Sequence, residues 1–441
     1  MFNALNGIGG GGKRDTTVVN NANTALSVTF TICSLIGAPI YNIFGIRVII
    51  PAALCYVLYV GSYLTSNAPF TIATGAILGV GAGFLWTAQA GIMMSYPSEK
   101  EKGKAFSIFW VVFNLGATVG AAIPLGNEWS ANQQEVQPTT YYAFMIIMFF
   151  GALLALALLP ASKVVRQDGS VVSLHKFSNW RREVVEIFKL FRDWRMLILI
   201  PLFAGSNWFY TYQFQVYNGP QYIAMHGRSI NNLVYWLFQI LGAALFGWLM
   251  DLELLGNRRR RAYIGNTIVL VSLSALWIGC IFIQKRFTRE SVKVPGFALI
   301  EISNPEYPGL CVEYALFGFA DAIYQGFIYW LIGTMTNDTE RAARFGGFYK
   351  TIQNAANAIA AQVDAIGTPY MTELAITFAI NTAGLLLAYV VCWTVPDVTI
   401  EEVELADGGV EQMVGGQVQT IEEVNLARMP SYEDKKQEPA Y

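Results

Sequence analysis

Charged residues are scarce in this sequence. Asp, Glu, Lys and Arg make up 14% of its 441 residues, whereas soluble proteins usually contain about 25%. Hydrophobic residues reach 54% and fall in long blocks instead of alternating with polar ones. The shortage of charge excludes an ordinary soluble enzyme and predicts a protein that crosses the lipid bilayer several times.

Cysteine and histidine are also rare. The five cysteines have no metal-site spacing, four of them lie inside apolar blocks, and there are only two histidines. This argues against a zinc site, a transition-metal site and a disulfide framework. Since no nucleophile and base pair or nucleotide loop stands out either, we expect no enzyme activity, no catalytic residue, no cofactor and no nucleic-acid partner.

Each long apolar block is interpreted as one membrane-spanning helix, because a helix satisfies its own backbone hydrogen bonds in lipid. Eleven spans are predicted. They are 23–41, 48–66, 70–96, 105–125, 140–159, 196–217, 231–252, 262–283, 309–334, 345–366 and 372–395. The fold class is therefore all-α.

Lys and Arg in the connections predict the orientation, since cytosolic loops carry an excess of them. With the loop after residue 159 in the cytosol, that side holds 21 of the 29 basic residues and the other side holds seven. The bias predicts a multi-pass integral membrane protein with a cytosolic C-terminus. It does not indicate which membrane holds the protein.

Four regions follow from this pattern. Residues 1–159 and 196–395 form an N-terminal and a C-terminal helical bundle. Residues 160–195 form a cytosolic linker, in which the apolar and basic periodicity of 180–195 predicts an amphipathic helix at the membrane surface. Residues 396–441 carry eleven acids against three bases, and this acidic tail is expected to be disordered.

The first residues are difficult to reconcile with eleven spans. An odd number of spans places the N-terminus outside, although the sequence opens with a polar, glycine-rich stretch. Residues 1–7 resemble the outer end of a helix that runs into a loop. Two hypotheses remain open, a shortened version of a twelve-helix protein and a true eleven-span protein.

A short pattern occurs once in each half, as expected for transporters built from internal repeats. The second copy has Gly247 and Asp251, then Gly256, then Arg258, Arg259, Arg260 and Arg261; the first has Gly37, Tyr41, Gly45 and Arg47. The pattern resembles the cytosolic loop signature of the major facilitator superfamily. That resemblance implies a gating latch made by Gly247, Asp251 and the four arginines, weakened in the first copy by Tyr41. A simple positive anchor is the alternative for the arginines.

The N-terminal third resembles a narrower family. The segments 3–7, 20–25, 85–89 and 107–116 are similar to fungal members of the Unc-ninety-three-like family. The resemblance implies a two-bundle major facilitator fold. It also implies either transport or regulation of another membrane protein, because both are attributed to that family.

Polar residues within spans are the candidate site, because they cost free energy in lipid unless they are paired or hydrated. Helical spacing places Lys350, Asn354, Asn357 and Asp364 on one face and Asp321 with Gln325 on another. The first bundle and the next span add neutral groups. The candidate substrate-binding residues are Trp86, Gln89, Asn114, Asn207, Asp321, Gln325, Asn354, Asn357 and Asp364. Either they line a central cavity or they form a structural clamp between helices; Lys350 is expected to extend outward to the membrane surface.

Two rows of glycine suggest close helix packing. Gly75, Gly79 and Gly83 are spaced by four residues, as are Gly116 and Gly120. Such rows let helix backbones approach each other, and a dimer face is the alternative interpretation.

Two functions fit the sequence. The first is a secondary carrier of a small organic solute, with Asp321 as a candidate proton site. The second is a non-transporting regulator or trafficking partner of another membrane protein. Lipid is a partner in both cases.

Overall fold

The fold is described from a computed structural model of the chain. It covers residues 2–7, 16–65, 67–97, 101–128, 136–159, 163–165, 185–186, 188–336, 339–397, 400–404, 410–414 and 417–419. Residues 180–184 and 187 of the predicted amphipathic helix at 180–195 lie outside these residues, as do residues 420–441 of the tail. Within the predicted helix, residues 185–186 and 188–190 are helical.

In the first half, the described residues form seven helices. They are α1 (Phe2–Gly7), α2 (Thr16–Leu35), α3 (Gly37–Phe44), α4 (Ile49–Ser62), α5 (Ala68–Ser95), α6 (Lys102–Glu128) and α7 (Pro138–Leu154). Short 3-10 segments at Gly45–Val48 and Ala155–Ala157 extend α4 and α7.

From residue 194 onward, the described part of the chain again forms seven helices. They are α8 (Trp194–Ile198), α9 (Ile200–Tyr210), α10 (Met225–Asp251), α11 (Arg258–Gln284), α12 (Tyr307–Gly333), α13 (Thr339–Ala365) and α14 (Tyr370–Cys392). A π-helical segment, Thr211–Tyr217, continues α9. Each of the eleven predicted spans therefore overlaps helical structure.

The repeated pattern has the same backbone conformation in both halves. Gly45 has φ 62° and Gly256 has φ 96°, a left-handed conformation that only glycine adopts without strain. Both residues turn the chain into the next helix. In the second copy Asn257 also caps α11, since its Oδ1 accepts the Arg260 amide at 3.0 Å.

The two halves meet along two helix pairs. Helix α2 packs against α13, and α6 packs against α10; α5 also contacts α13. Side-chain hydrogen bonds cross this boundary, including those from Trp110 Nε1 to Gln239 Oε1 (2.9 Å) and from the Tyr329 hydroxyl to Gln89 Oε1 (3.3 Å). The arrangement is the expected pair of bundles facing each other.

Eight helices of the described residues are long and apolar enough to cross a membrane. The predicted spans 23–41, 196–217 and 345–366 are not among them. Helix α13 carries the polar face that includes Lys350 and Asp364, which lowers its hydropathy. Helix α2 ends at a break before α3, and the region 196–217 is divided among α8, α9 and the π segment. Since α2 and α13 pack against each other, part of their polar surface is covered by protein instead of lipid.

The glycine rows behave differently from each other. Gly75 and Gly83 on α5 face α2, where an added Cβ would lie 2.6 Å from Ala22 O and 2.7 Å from Cys33 Cβ, respectively. The packing interpretation is therefore correct for this row. An added Cβ on Gly116 would have no atom within 4 Å, so close packing is wrong for Gly116, which borders a cavity.

The described residues of the acidic tail form three short strands, although this region was expected to be disordered. The strands β1 (Ile400–Glu404), β2 (Val410–Val414) and β3 (Gln417–Gln419) form an antiparallel sheet in that order. β-branched residues recur through these segments, and they favour extended structure despite the acids between them. Over these residues the structure differs from the sequence-based expectation.

Candidate functional site

A cavity of about 470 Å³ lies between the two halves. Its wall includes residues of α1, α2 and α4–α7 from the first half, and of α9, α10, α12 and α13 with part of the π segment from the second. Its volume is in the range of about 300–1,000 Å³ that is typical of small-molecule sites. The cavity is therefore large enough for a small organic solute.

Six of the nine predicted substrate-binding residues line this cavity. They are Trp86, Asn207, Gln325, Asn354, Asn357 and Asp364. Two of them also hold the halves or helices in place, since Asn357 Nδ2 donates to Ser27 Oγ across the boundary (3.2 Å) and Asn354 Nδ2 donates to Lys350 O (2.8 Å). Asn354 and Asn357 therefore both line the cavity and form hydrogen bonds that hold the helices in place.

The other three predicted residues are not part of the cavity wall. Gln89 receives the Tyr329 hydroxyl and donates to Met93 Sδ. Asn114 is fully buried and donates to Trp110 O at 2.9 Å. Both amides donate within their own bundle, and neither side chain is part of the cavity wall.

Asp321 lies behind the cavity wall and not on it. Its Oδ2 accepts the hydroxyls of Tyr210 (2.7 Å) and Tyr235 (3.0 Å) and the amide of Gln239 (2.5 Å). Its Oδ1 accepts Gln325 Nε2 at 2.7 Å. The carboxylate therefore fixes Tyr210, Gln239 and Gln325, all of which face the cavity.

Lys350 corrects the sequence-based expectation most directly. It was expected to extend outward, yet it is 3% exposed and lines the cavity. Its ammonium lies 4.6 Å from the ring centre of Trp86, 4.8 Å from that of Tyr349 and 5.5 Å from that of Tyr329. Aromatic faces attract a cation electrostatically, so a basic side chain can remain inside the bundle without reaching the surface.

A chain of amides connects Lys350 with Asp321. Lys350 Nζ donates to Gln353 Oε1 at 2.8 Å. Gln353 Nε2 in turn lies within hydrogen-bond distance of Ser206 Oγ (2.7 Å), the Tyr349 hydroxyl (2.9 Å) and Gln325 Oε1 (3.4 Å). Its two hydrogens serve two of these acceptors at a time. Gln325 reaches Asp321, so a buried acid and a buried base belong to one polar network.

Asp364 is already ion-paired at one end of the cavity. Arg289, in the connection between α11 and α12, donates Nη2 to Asp364 Oδ1 (2.5 Å) and to Glu373 Oε1 (2.6 Å). Its Nε donates to Thr368 O at 2.8 Å, and its guanidinium stacks on Tyr370. Burial alone would lower the pKa of Arg289. The hydrogen bond to Asp364 and the charge of Asp364 outweigh this effect, so the pKa of Arg289 lies above its ordinary value. Asp364 thus joins α13 to α14 in addition to bordering the cavity.

Asp251 joins the two halves at the opposite end of the bundle, here called the basic end because Arg258 follows nearby. Its Oδ1 accepts the amide of Gly103 (2.9 Å) and its Oδ2 accepts the amide of Lys104 (2.5 Å). Both amides lie in the first turn of α6, where backbone donors have no partner within the helix. Gly247 permits this approach, since an added Cβ would lie 2.6 Å from Gly103 O.

The four arginines that follow have different contacts. Arg258 is buried and donates to Asp397 O (3.4 Å), and Arg259 stacks on Trp393. The Arg260 backbone is capped by Asn257, and Arg261 Nη1 donates to Met250 O at 3.0 Å. Three of these side chains thus connect the start of α11 with the end of α14 or of α10.

The first copy of the pattern makes an apolar contact instead. Tyr41 is 5% exposed and packs with Ala88 and Ala343, so α3 contacts the start of α13 through carbon atoms. Both copies of the pattern therefore join the two halves. The second copy does so by charge-assisted hydrogen bonds to Asp251, and the first by apolar packing of Tyr41.

The family match covers most of the chain. Residues 22–392 match the family model described as "Ion channel regulatory protein UNC-93". The chain belongs to the UNC-93 family. An UNC93-like protein of Schizosaccharomyces pombe is 37% identical over 410 residues, which cover 92% of this chain and 81% of that protein. UNC93-like protein 1 of Arabidopsis thaliana is 39% identical over 391 residues, covering 87% and 84%. The similarity is thus not confined to fungi.

A solved structure supports the fold of this UNC-93 family member. The crystal structure of the human organic anion transporter MFSD10 (TETRAN) aligns with a TM-score of 0.54 and 14% identity, covering 86% of this chain and 83% of that one. At this identity the likeness shows the fold alone. The chain is a multi-pass integral membrane protein whose membrane-spanning part is helical and has the major facilitator type of fold. Neither this family nor this fold is typical of enzymes.

Several residues of the polar network were missed from the sequence. Tyr210 and Tyr235 lie in apolar blocks, where a tyrosine carries no visible sign of its hydroxyl partner. Gln239 is isolated among apolar neighbours. Gln353 and Lys350 had a readable signal, since they are three residues apart and therefore share a helical face.

Proposed function

We propose that this UNC-93 family member is a secondary carrier for a small organic solute that binds in the central cavity. The observation that carries the proposal is the unfilled volume of about 470 Å³ between two halves that both supply its wall. A purely structural clamp needs polar contacts between helices but no such volume, because helix interfaces are normally close-packed.

A proton is the proposed coupling ion, with Asp321 as its site. The titratable groups around this carboxylate are Tyr210, Tyr235, Tyr349 and Lys350, from α9, α10 and α13. Protonating one oxygen would replace an accepted hydrogen bond by a donated one, which requires Gln325, Gln239 or a tyrosine to turn. Because Tyr210, Gln239 and Gln325 face the cavity, proton binding at Asp321 would alter the solute site.

Asp251 is the proposed latch of this carrier. In transporters of this fold the halves rock around a central site, so the hydrogen bonds from the first turn of α6 to Asp251 would break when the basic end opens. The excess of Lys and Arg on this side supports its placement, and that of the C-terminus, in the cytosol.

A regulator of another membrane protein is the second candidate. It is favoured by the printed description of the family, which names ion channel regulation. In this case the same fold would bind a partner membrane protein, and the cavity would not carry solute.

Substituting Asp321 by asparagine is expected to reduce solute flux by about tenfold or more, because charge-assisted hydrogen bonds contribute about 1.5–3 kcal/mol each. Asparagine cannot release a proton, and its NH₂ group would face Gln325 Nε2, which is also a donor. Uptake should be measured in cells and proteoliposomes, with an untargeted metabolite comparison of deletion and complemented cells to find the solute. Surface abundance should remain unchanged.

Glu313→Gln is the matched control, since it makes the same acid-to-amide change on the same helix away from the cavity wall. It should retain flux. If neither the unmodified protein nor the control shows any flux, while deletion of the gene mislocalises another membrane protein, the regulator is the better account.

A further inference from the structure

Lys350 places a positive charge at the cavity wall, and no carboxylate of the described residues contacts it directly. Within the part of the chain that the structure describes, its ammonium has one hydrogen-bond acceptor, Gln353 Oε1, and no carboxylate within ion-pair distance. A lysine ammonium has three donors. The rings of Trp86, Tyr329 and Tyr349 surround it in part but accept no conventional hydrogen bond.

Neither neighbouring acid neutralises this charge at the cavity surface. Asp364 also borders the cavity but is ion-paired with Arg289. Its position is also remote from Lys350, since fourteen residues of helix span about 21 Å at about 1.5 Å per residue. Asp321 lies behind the wall with four donors around its oxygens, so a solute in the cavity meets Tyr210, Gln239 and Gln325 before it meets the carboxylate.

The surroundings of Lys350 favour one kind of solute. An anion would accept the remaining donors of the ammonium, whereas a cation would be repelled and a neutral solute would leave the charge unpaired. Much of the wall is apolar, including Leu26, Phe30, Leu78 and Phe113, and this surface suits a hydrocarbon or aromatic body. The amides of Asn207 and Asn354 provide further polar contacts at the wall.

We propose that the cavity binds a small organic anion, a carboxylate with an apolar body, whose charged group contacts Nζ of Lys350 between the rings of Trp86 and Tyr349. This inference rests on the proposed function in that it names the substrate class of the same cavity. It depends on the position of Lys350 inside the cavity, whereas the sequence-based expectation placed this side chain at the membrane surface.

The test uses three probes that share one body, namely 4-phenylbutyrate, 4-phenylbutanamide and 4-phenylbutylamine. Each is titrated against the purified full-length protein in lipid nanodiscs, and binding is followed by calorimetry and by the melting temperature. The carboxylate is expected to bind about tenfold or more tightly than the amide and the amine, because only the carboxylate forms an ion pair with the lysine. Equal binding of the three probes, or no binding of the carboxylate, overturns the proposal.

Lys350→Gln and Lys350→Arg locate the effect. The glutamine variant should lose the preference for the carboxylate, and the arginine variant should keep it, since only the latter retains the charge. If Lys350→Gln still prefers the carboxylate, the anion binds elsewhere and the proposal fails. Should either variant misfold, the comparison of the three probes on the unmodified protein decides alone.

Uptake of the same probes into proteoliposomes separates this inference from the proposed function. Binding of the carboxylate without uptake would retain the anion site and contradict the carrier. Uptake of the amine as fast as that of the carboxylate would retain the carrier and contradict the anion site.

Discussion

Replacing Arg289 by methionine is expected to lower the free energy of unfolding by about 3–5 kcal/mol, the cost of removing one partner from a buried ion pair. The arginine side chain is 14% exposed and holds Asp364 and Glu373, whose side chains are 17% and 5% exposed. Without it, two carboxylates would face each other with little water. The measurement is reversible unfolding in mild detergent, followed by tryptophan fluorescence.

Arg286→Met is the matched control for this prediction. Arg286 lies three residues earlier and pairs with Glu306 at 3.2 Å, but both side chains are more than half exposed. Exposed ion pairs contribute about 0–1 kcal/mol, so this variant should unfold almost like the unmodified protein. Adding Asp364→Asn and Glu373→Gln to the Arg289 variant should recover part of the loss, because no unpaired charge then remains buried. An equal loss in both arginine variants would contradict the buried clamp.

Substituting Gly79 by leucine is expected to destabilise the first half by about 3 kcal/mol or more, at the upper end of what overpacking costs. A side chain at this position would overlap the backbone of α2 at Leu26 and Phe30 and the hydroxyl of Thr29. It would also break the hydrogen bond from Thr29 Oγ1 to Ala76 O at 2.9 Å. Because α2 also packs on α13, separation of α2 from α5 should disturb the boundary between the halves.

The comparison of Gly79→Ala with Gly116→Ala tests the same idea with a smaller change. Alanine at position 79 should cost about 1–3 kcal/mol. Alanine at position 116 meets no atom within 4 Å, so its better helix propensity should leave stability unchanged or raise it by up to about 1 kcal/mol. Melting temperatures of the two variants give the result directly. The prediction would be wrong if position 116 proved as sensitive as position 79.

The fold could be predicted well because its signals are local. Blocks of about 20 apolar residues indicate helices wherever they occur, and the two copies of the glycine pattern indicate the repeat. The helix bounds were less predictable. The break after Leu35 and the π segment at Thr211–Tyr217 both lie inside predicted spans, and the apolar pattern gives no sign of them.

The site could be predicted only in part. Helical spacing put Asn354 and Asn357 on one face of a regular helix, and both residues border the cavity. The same spacing could not show whether Asp321 faces the cavity or lies behind Tyr210. For Lys350, the position near one end of a predicted span suggested the membrane surface. Two of the three aromatic rings around its ammonium, those of Trp86 and Tyr329, come from other helices, and the span pattern does not show this contact.

The central claim is that a water-accessible cavity, and not a closed clamp, separates the two halves. Cysteine accessibility tests it most directly. In a cysteine-free background, single cysteines replace Asn207 and Asn357 on the cavity wall and, as the control, Asn381, which is 1% exposed and bonded to Trp277 and Gly205. We predict that a water-soluble thiol reagent modifies the first two positions in membrane vesicles and leaves the third unmodified. Equal protection of all three positions, from both sides of the membrane, would contradict the cavity and with it the proposed carrier.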